Sequence, residues 1–253
     1  MANYLITGTS RGLGLELVSQ LAASPSSSVN LIFATGRTDA PSEALQEVID
    51  KSGHVIYIKI EGAELDSVQA AFSIIEKTLD GSSLDYLVNN VGVMPFTPAG
   101  VATMNDLTST FITNVATVHN TTSVFLPLLA KSSVKKVLNM SSTLGSIALA
   151  NQFTVSPAPA YKISKAALNM LTVQYALEYA SKGFVIFAIS PGWVKTDLGT
   201  AYADLTVDES VKAVLERLHG AGKDANGKFF NVKIPGWEKR ETGNQYPGGE
   251  EPW

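Results

Sequence analysis

Short apolar runs alternate with helix-length stretches along the whole chain. Apolar runs of about four to eight residues bounded by turn residues are typical of buried strands. The pattern predicts strands at 3–7, 30–34, 55–60, 84–89, 134–139, 184–190 and 228–232. It predicts helices near 12–23, 41–51, 65–79, 104–131, 160–181 and 206–219. Because strands that alternate with helices form crossover units, we predict an α/β fold: a doubly wound parallel sheet with helices on both faces.

The composition suits a sheet that is covered on both faces. Of the 253 residues, 45% are hydrophobic and 17% are charged, and the mean hydropathy is +0.12. The net charge is −4 and there is no basic run, so we expect no nucleic-acid partner. The chain has no cysteine, which excludes disulfides and thiolate catalysis. Since no repeat is found, we predict a single domain over 1–253 with an extended tail at 233–253 that lies on the surface.

Three stretches lack charged residues, but polar residues and prolines interrupt each of them, at 86–105, 107–130 and 137–161. We interpret them as core and pocket wall and expect no membrane partner. The first apolar run adjoins a glycine-rich turn, which leaves no room for a secretion signal. We therefore expect a cytoplasmic protein.

A glycine-rich turn, T-G-T-S-R-G-L-G at 7–14, joins the first predicted strand to the first predicted helix. Gly8, Gly12 and Gly14 would allow a sharp turn, close approach of the backbone to a phosphate and tight packing of the helix on the strand. The start of the helix would offer free N–H groups and the positive end of its dipole. The turn therefore predicts a dinucleotide site, with a plain tight connection as the alternative.

The same residues spell G-x-S-x-G at 8–12, the nucleophile elbow of α/β-hydrolases. That fold requires strands before the elbow, and an acid and then a histidine after it. Here the elbow would follow the first strand. The three histidines, His54, His119 and His219, fall within predicted strands or helices rather than on a late loop. A hydrolase is therefore the weaker interpretation.

The end of the second predicted strand, A-T-G-R at 34–37, indicates which dinucleotide is bound. A free ribose 2′-hydroxyl favours a carboxylate about 20 residues beyond the turn, whereas a 2′-phosphate favours arginine. Arg37 stands at this place, and Asp39 lies further out. Arg11 would add a second cation, and two guanidinium groups can share one phosphate. We therefore predict NADP(H), although ordinary surface positions would also explain both arginines.

Tyr161 and Lys165 are one helical turn apart and would project from the same face of a helix. Tyrosine titrates near ~10, so it needs a neighbouring positive charge to act as an acid–base group at neutral pH. The spacing alone would also suit a tyrosine packed over a lysine stem. However, the strand at 134–139 leads to Ser142 at the carboxyl edge of the sheet, where such folds place their chemistry. Asn90 and Gly92 follow the preceding strand to the same edge.

With these motifs in order, nearly the whole chain resembles the short-chain dehydrogenase/reductase family. The family's T-G-x-x-x-G-x-G matches 7–14, and its P-G-x-V-x-T matches 191–196. Its N-N-A-G matches 89–92, except that Val91 replaces alanine, and Glu61-Gly62 replaces the usual Asp-aliphatic pair near the adenine ring. Segments at 142–147, 205–211 and 227–230 are similar to the carbonyl-reductase side, including C-factor-like and Sniffer-like reductases. The tail is similar to that of fungal norsolorinic acid ketoreductase-like proteins.

The resemblance implies a Rossmann fold and a role for each matched residue. Ser142 would polarise the substrate oxygen, and Tyr161 would be the general acid. Lys165 would lower the pKa of Tyr161 and hold the nicotinamide ribose, while Asn114 would position a relay water. The implied cofactor-binding residues are Gly8, Ser10, Arg11, Gly12, Leu13, Gly14, Arg37, Asn90, Gly92, Tyr161, Lys165, Pro191, Gly192, Val194 and Thr196. No metal site is expected.

We therefore expect NADPH-dependent reduction of a ketone or aldehyde to an alcohol. Apolar pocket candidates at Met94, Phe96, 144–153 and 193–202 suit a lipophilic or aromatic small-molecule substrate. The alternatives are an NADP-dependent alcohol dehydrogenase that works in the oxidative direction and a non-catalytic dinucleotide-binding protein. Helices at 107–130 and 160–180 would suit a homo-oligomer interface (dimer or tetramer), and internal burial explains them nearly as well.

Overall fold

The computed structural model describes residues 1–25, 28–240 and 243–253. Within these ranges, one seven-stranded sheet has the order β3-β2-β1-β4-β5-β6-β7, and all neighbouring strands are parallel. The strands are β1 (Ala2–Ile6), β2 (Val29–Gly36), β3 (Val55–Lys59), β4 (Tyr86–Asn89), β5 (Lys136–Met140), β6 (Val185–Ser190) and β7 (Phe229–Asn231). The predicted sheet is confirmed.

Helices connect the strands. They are α1 (Gly12–Ala22), α2 (Glu43–Ser52), α3 (Leu65–Leu79), α4 (Leu107–Phe111), α5 (Thr117–Ala130), α6 (Pro159–Tyr179) and α7 (Val207–Gly220). Across 1–25, 28–240 and 243–253, none of the helices has the length and apolar character that crossing a membrane requires.

Alternation along the strands divides the core into two layers. Tyr4 and Ile6 of β1 join one buried cluster, together with residues of α1, α2 and α7. Leu5, which points to the other face, joins a second cluster with residues of α3, α5 and α6. Because neighbouring residues of a strand point to opposite faces, a parallel sheet covered by helices on both sides buries both sets. The doubly wound arrangement is therefore confirmed.

The long helix predicted at 104–131 differs from the structure. The chain is helical from Leu107, and a π-helical turn at Ile112–Ala116 separates α4 from α5. Apolar periodicity does not distinguish an α-turn from a π-turn, so the sequence did not reveal the break. π-turns within helices frequently occur at functional sites, and this one contains Asn114.

The tail predicted on the surface also differs in part from the structure. Tyr246 is only 3% exposed, and its ring packs against Trp237 with the centroids 5.5 Å apart. The segment beyond residue 243 therefore contributes to the core.

The strand order reverses between β1 and β4, which are neighbours although they are distant in sequence. In doubly wound sheets, ligands bind in the crevice at the carboxyl ends of the strands at this reversal. The glycine turn leaves β1 at this point, and Asn90 follows β4 there. The fold therefore places two of the predicted motifs side by side.

We expect Thr206→Ala to lower the free energy of unfolding by about 1 kcal/mol, because it removes the capping box at the start of α7. The Thr206 hydroxyl accepts from the Glu209 backbone N–H at 3.3 Å, and the Glu209 carboxylate accepts from the Thr206 N–H at 2.9 Å. Urea unfolding measures the change. The control is Thr78→Ala, an exposed helical threonine, which we expect to change stability by less than about 0.5 kcal/mol. An equal decrease in the free energy of unfolding in the two variants would contradict the prediction.

Candidate active site

The glycine turn is held so tightly that its glycines cannot be replaced without rearrangement. Gly8 and Gly12 have positive φ angles, 70° and 56°. A Cβ on Gly14 would lie 2.0 Å from the Gly8 carbonyl oxygen. No side chain caps the start of α1, which follows directly, so its first N–H groups face outward from the turn. The backbone here suits an anionic phosphate.

Residues after β4 fasten this turn to the sheet. The Asn90 side-chain amide donates to the carbonyl oxygens of Thr7 (3.0 Å) and Gly8 (3.1 Å). The Thr7 hydroxyl accepts from the backbone N–H groups of Asn90 (2.9 Å) and Val91 (3.3 Å). The Val91 side chain lies 3.0 Å from the position of a Cβ on Gly8, so its extra bulk packs on the glycine turn. Asn90 thus supports the turn from beneath.

Glu61-Gly62, the other departure from the family pattern, packs against α5. A Cβ on Gly62 would lie 2.3 Å from the Thr117 Cγ2 atom, and the Gly62 carbonyl accepts from the Asn120 amide at 3.0 Å. A larger aliphatic residue would therefore not fit here without a shift of α5.

The segment after β6 approaches the glycine turn from the other side. Thr196 lies next to Gly12, with its Cγ2 atom 3.4 Å from the position of a Cβ there. Arg11 forms an ion pair with Asp197 at 2.9 Å, and both side chains are largely exposed. Gly192 adopts a φ of 81°, and a Cβ there would lie 2.7 Å from Leu205. The 191–196 segment and the turn therefore form two sides of one cleft.

The remaining residues of this segment are structural neighbours of the cleft. Pro191 is buried and its carbonyl accepts from the Ser210 hydroxyl at 2.7 Å, while Val194 is buried and bridges to Leu205. In the glycine turn, the Ser10 carbonyl accepts from the Ser42 hydroxyl at 2.7 Å. Leu13 packs against the core beneath the turn.

Arg37 extends from the end of β2 and is exposed. It pairs with no acidic side chain among the residues that the structure describes, whereas Arg11 has Asp197 as its partner. Asp39, two residues further along the chain, is held by Lys59 at 2.6 Å, which keeps the pKa of its carboxyl below the usual value. The loop is braced by Tyr57, whose hydroxyl donates to the Thr38 carbonyl at 2.8 Å. The charge of the loop after β2 is therefore dominated by the Arg37 guanidinium.

Tyr161 and Lys165 lie on α6 as the spacing predicts, and both are buried, at 6% and 3% exposed. The Lys165 ammonium lies 5.6 Å from the centre of the Tyr161 ring and donates to the Met140 carbonyl at 2.7 Å. Ser142 lies two residues beyond β5, where its hydroxyl accepts from the Leu144 N–H at 3.2 Å, and it is close enough to Tyr161 to lower the pKa of the phenol. The three side chains therefore meet at the carboxyl edge of the sheet.

Burial determines how these groups titrate. Burial raises the pKa of Tyr161 to about 12, and the nearby Ser142 hydroxyl opposes this rise. Burial lowers the pKa of Lys165 to about 8, because the low-dielectric interior disfavours the ammonium. The lowered tyrosine pKa that the resemblance implied is therefore not seen in the protein alone. Tyr161 is a neutral phenol and Lys165 is predominantly an ammonium at pH 7.

Asn114, in the π-helical turn, is fully buried and uses both ends of its amide. Its oxygen accepts from the Val93 N–H at 2.9 Å, and its nitrogen donates to the Val93 carbonyl and to the Ser164 hydroxyl, each at 2.9 Å. Gly92 faces both this amide and Lys165: a Cβ there would lie 3.6 Å from the Asn114 oxygen and 3.6 Å from the Lys165 ammonium. Glycine thus leaves a small polar space between the two groups.

Several apolar side chains on segments at the carboxyl ends of the strands are exposed. They lie on the segments that follow β4, β5 and β6, which are the segments predicted to line the pocket. They include Phe96, Ile147, Trp193 and Tyr202, and Ile147 and Tyr202 are 78% and 88% exposed. Contiguous exposed apolar surface is typical of a binding site. The wall after β4 is tied to the entry of α6, since the Thr97 N–H donates to the Pro157 carbonyl at 2.7 Å.

The weaker hydrolase interpretation requires a histidine that is paired with Ser10, but each of the three histidines is hydrogen-bonded to another group. His219 is hydrogen-bonded to Tyr4 of the interior strand β1 at 3.1 Å. His119 pairs with Tyr175 at 2.9 Å, and His54 with the Ser52 carbonyl at 2.8 Å. The elbow therefore has no catalytic base among these partners.

Several residues of the site were not predicted. Ser164 supports the Asn114 amide, and Asp197 pairs with Arg11. A polar residue next to Lys165 on a largely apolar helix was a usable signal for Ser164. Asp197 follows Thr196 directly, but its partner is far away in sequence, so no local pattern reveals the pair.

A nicotinamide dinucleotide fits these residues. The glycine turn has no room for side chains and presents backbone N–H groups, as a pyrophosphate requires. The buried Lys165 ammonium donates to the Met140 carbonyl, and it faces the space beside Gly92. An ammonium has three donors, so it can also bind the hydroxyl groups of a ribose.

A family model described as short chain dehydrogenase matches residues 2–206. The short-chain dehydrogenase/reductase AacuF of Aspergillus aculeatus is 32% identical over an alignment of 262 positions, gaps included, which covers 91% of this chain and 96% of that protein. The C-signal protein of Myxococcus xanthus is 34% identical over 171 residues, which cover 67% of this chain and 93% of that protein.

Two solved structures are also similar. The NADPH-bound carbonyl reductase from chicken fatty liver has 33% identity and a TM-score of 0.85, with 94% of each chain covered. The carbonyl reductase Sniffer of D. melanogaster has 28% identity and a TM-score of 0.87, with 100% of each chain covered.

The chain therefore belongs to the short-chain dehydrogenase/reductase family. It is an oxidoreductase of that family, whose members use a nicotinamide dinucleotide. The family resemblance inferred from the motifs is confirmed, and carbonyl reductases are among its structural neighbours.

We expect Lys165→Met to raise the free energy of unfolding at pH 7 by about 1–3 kcal/mol, because it removes a buried charge. The pKa of Lys165 falls from 10.5 in the unfolded chain to about 8 in the folded protein. Below pH 8 both states hold the proton, and the folded protein bears the full cost. From pH 8 to 10.5 the unfolded chain holds more protons, so wild-type stability gains with pH from this group.

Urea unfolding of wild type and variant between pH 7 and about pH 9.5 measures the difference, which should shrink as pH rises. The control is Lys162→Met on the same helix, where the side chain is only partly buried and the change should be smaller. A difference that stays constant with pH would show that Lys165 does not carry the buried charge.

Proposed function

We propose that the protein catalyses the NADPH-dependent reduction of a lipophilic ketone or aldehyde to an alcohol, with Tyr161 as the proton donor. The observation that carries the proposal is the joint burial of Tyr161, Ser142 and Lys165 at one edge of the sheet, with the Lys165 ammonium 5.6 Å from the centre of the Tyr161 ring. A phenol, a hydroxyl donor and a cation at one sheet edge suit the transfer of a proton to a polarised carbonyl oxygen.

Each side chain then has a distinct task. Ser142 donates a hydrogen bond to the carbonyl oxygen, which increases the positive character of the carbonyl carbon. Tyr161, a neutral phenol at pH 7, supplies a proton to the same oxygen. The cofactor supplies the hydride when it is bound. Lys165 restores the phenol proton, and the polar space beside Gly92 connects Lys165 to Asn114 for the return of a proton from solvent.

The charges around the end of β2 support NADP(H) over NAD(H). Arg37 is exposed, and Asp39 is neutralised by Lys59. A 2′-phosphate would therefore meet a net positive surface, to which Arg11 can contribute by leaving Asp197. The NADPH bound in the similar carbonyl reductase from chicken fatty liver agrees with this choice.

The substrate class follows from the walls of the site. The exposed apolar side chains on the segments after β4 and β6, including Phe96 and Tyr202, would gain free energy by covering an apolar or aromatic substrate. A phosphorylated sugar would leave this surface uncovered. A lipophilic or aromatic carbonyl compound therefore fits better.

We expect Tyr161→Phe to reduce kcat for carbonyl reduction by about 10²–10⁴-fold, because it removes the proton donor and keeps the ring. The affinity for NADPH, measured by the enhancement of its fluorescence, should change by less than about threefold, since one hydrogen bond at most is lost. The control is Tyr175→Phe on the same helix, whose hydroxyl contacts His119 instead. Wild-type turnover by Tyr161→Phe would overturn the assignment.

We expect Arg37→Ala to raise the Kd for NADPH by about 10–100-fold, which is the loss of one or two charge-assisted hydrogen bonds to a phosphate. The Kd for NADH should hardly change, because NADH has no 2′-phosphate. Titration of both cofactors against wild type and variant measures the two constants. The control is Lys51→Ala, another exposed cation, which pairs with Glu47 on α2. Equal losses for NADPH and NADH would contradict the 2′-phosphate contact.

A further inference from the structure

Residues 243–253, here called the return segment, run back along the edge strand β7. The Asn231 N–H donates to the Gly249 carbonyl at 3.0 Å, and the Glu251 N–H donates to the Phe229 carbonyl at 2.8 Å. The Trp253 ring stacks on Phe229, with the centroids 5.6 Å apart and the planes within 20°. The return segment is therefore fixed to the sheet itself.

One part of the return segment closes the 193–204 loop, which forms the pocket wall after β6. The Tyr246 hydroxyl accepts from the Trp193 N–H at 3.2 Å, at the start of the loop. The same hydroxyl donates to the Asp204 carboxylate at 2.6 Å, at the end of the loop. The Asn244 amide donates to that carboxylate at 2.7 Å. One buried hydroxyl thus joins both ends of the loop.

The other end of the return segment holds the wall after β5. The Ser146 hydroxyl, which is 2% exposed, donates to the Pro252 carbonyl at 2.7 Å. The Ala148 N–H donates to the Trp253 carbonyl at 3.0 Å. Ser146 lies four residues after Ser142 and also accepts from the Leu149 N–H at 3.1 Å. The turn that begins at Ser142 is therefore anchored to the same segment.

We propose that the return segment positions two walls of the substrate pocket, with Tyr246 as the positioning residue for the 193–204 loop and Ser146 for the 146–149 turn. Both walls emerge from the ends of different strands, and the return segment is bonded to each of them and to β7. Their separation therefore depends on contacts made outside the pocket. That these walls line a carbonyl substrate rests on the proposed function, but the anchoring does not.

Limited proteolysis tests the anchoring without any substrate. Lys195 is exposed within the loop, so trypsin cleavage after Lys195, followed by mass spectrometry, reports how often the loop opens. In Tyr246→Phe we expect cleavage at this bond to be about tenfold faster, because the Asp204 carboxylate and the Trp193 N–H lose their shared partner. The matched control is Tyr4→Phe. Tyr4 is also 3% exposed, and its hydroxyl is bonded to His219 of α7 rather than to the 193–204 loop.

Cleavage of Tyr246→Phe at the wild-type rate, or equal acceleration in Tyr4→Phe, would overturn the proposal. If Tyr246→Phe does not fold, Asp204→Ala replaces it. This variant removes the same hydrogen bond at its other end, where Asp204 is partly exposed, and it must show the same faster cleavage after Lys195. Wild-type cleavage in that variant would overturn it equally.

Steady-state kinetics test the effect on the pocket. With NADPH and a bulky aryl ketone, we expect Tyr246→Phe and Ser146→Ala each to raise KM by about threefold to tenfold, which corresponds to one net hydrogen bond, while kcat falls less. Unchanged KM in both variants would show that the anchors do not position the walls. If the wild type reduces no carbonyl compound, the proposed function fails, and the cleavage rates still decide whether the anchoring exists.

Discussion

The buried ammonium of Lys165 is the constraint on which the rest of the site depends. A charge in the interior is tolerated only where backbone and side chains are arranged around it. The Met140 carbonyl accepts from it, so the end of β5 is tied to α6. A Cβ on Gly145 would lie 2.5 Å from the Lys165 Cβ, so the turn after Ser142 can approach the helix only because it contains glycine. The position of Ser142 is therefore coupled to that of Lys165.

A ladder of buried polar side chains extends this coupling beneath the site. Asn89 and Asn139 are paired residues on β4 and β5, and the Asn89 amide donates to the Asn139 oxygen at 2.8 Å. Asn89 also donates to Thr122 of α5 at 3.1 Å, and Asn139 donates to Thr172 of α6 at 2.8 Å. Hydrogen bonds in a low-dielectric interior are costly to leave unmade. They therefore fix the register of the two strands against both helices, directly below the catalytic candidates.

Structural features that depend on local sequence pattern were predictable, whereas features that depend on partners distant in the sequence were not. Strand alternation, the glycine turn and the one-turn spacing of Tyr161 and Lys165 are local, so the sheet and the α6 pair were predictable. The π-turn around Asn114 was not, because apolar periodicity looks the same on either side of it. The role of Tyr246 depends on Asp204, which lies 42 positions away in the sequence, and glycine- and proline-rich composition suggested only a surface tail.

The order of acidities within the site gives the proposed proton transfer a direction. The pKa of Tyr161 is raised to about 12 and that of Lys165 is lowered to about 8, both by burial. When the phenol has given its proton to a substrate oxygen, the phenolate that remains is a much stronger base than the lysine amine. Lys165 is then the stronger acid of the pair, and the return of a proton to Tyr161 is downhill. The burial that makes Lys165 costly for stability thus also makes it the stronger acid of the pair.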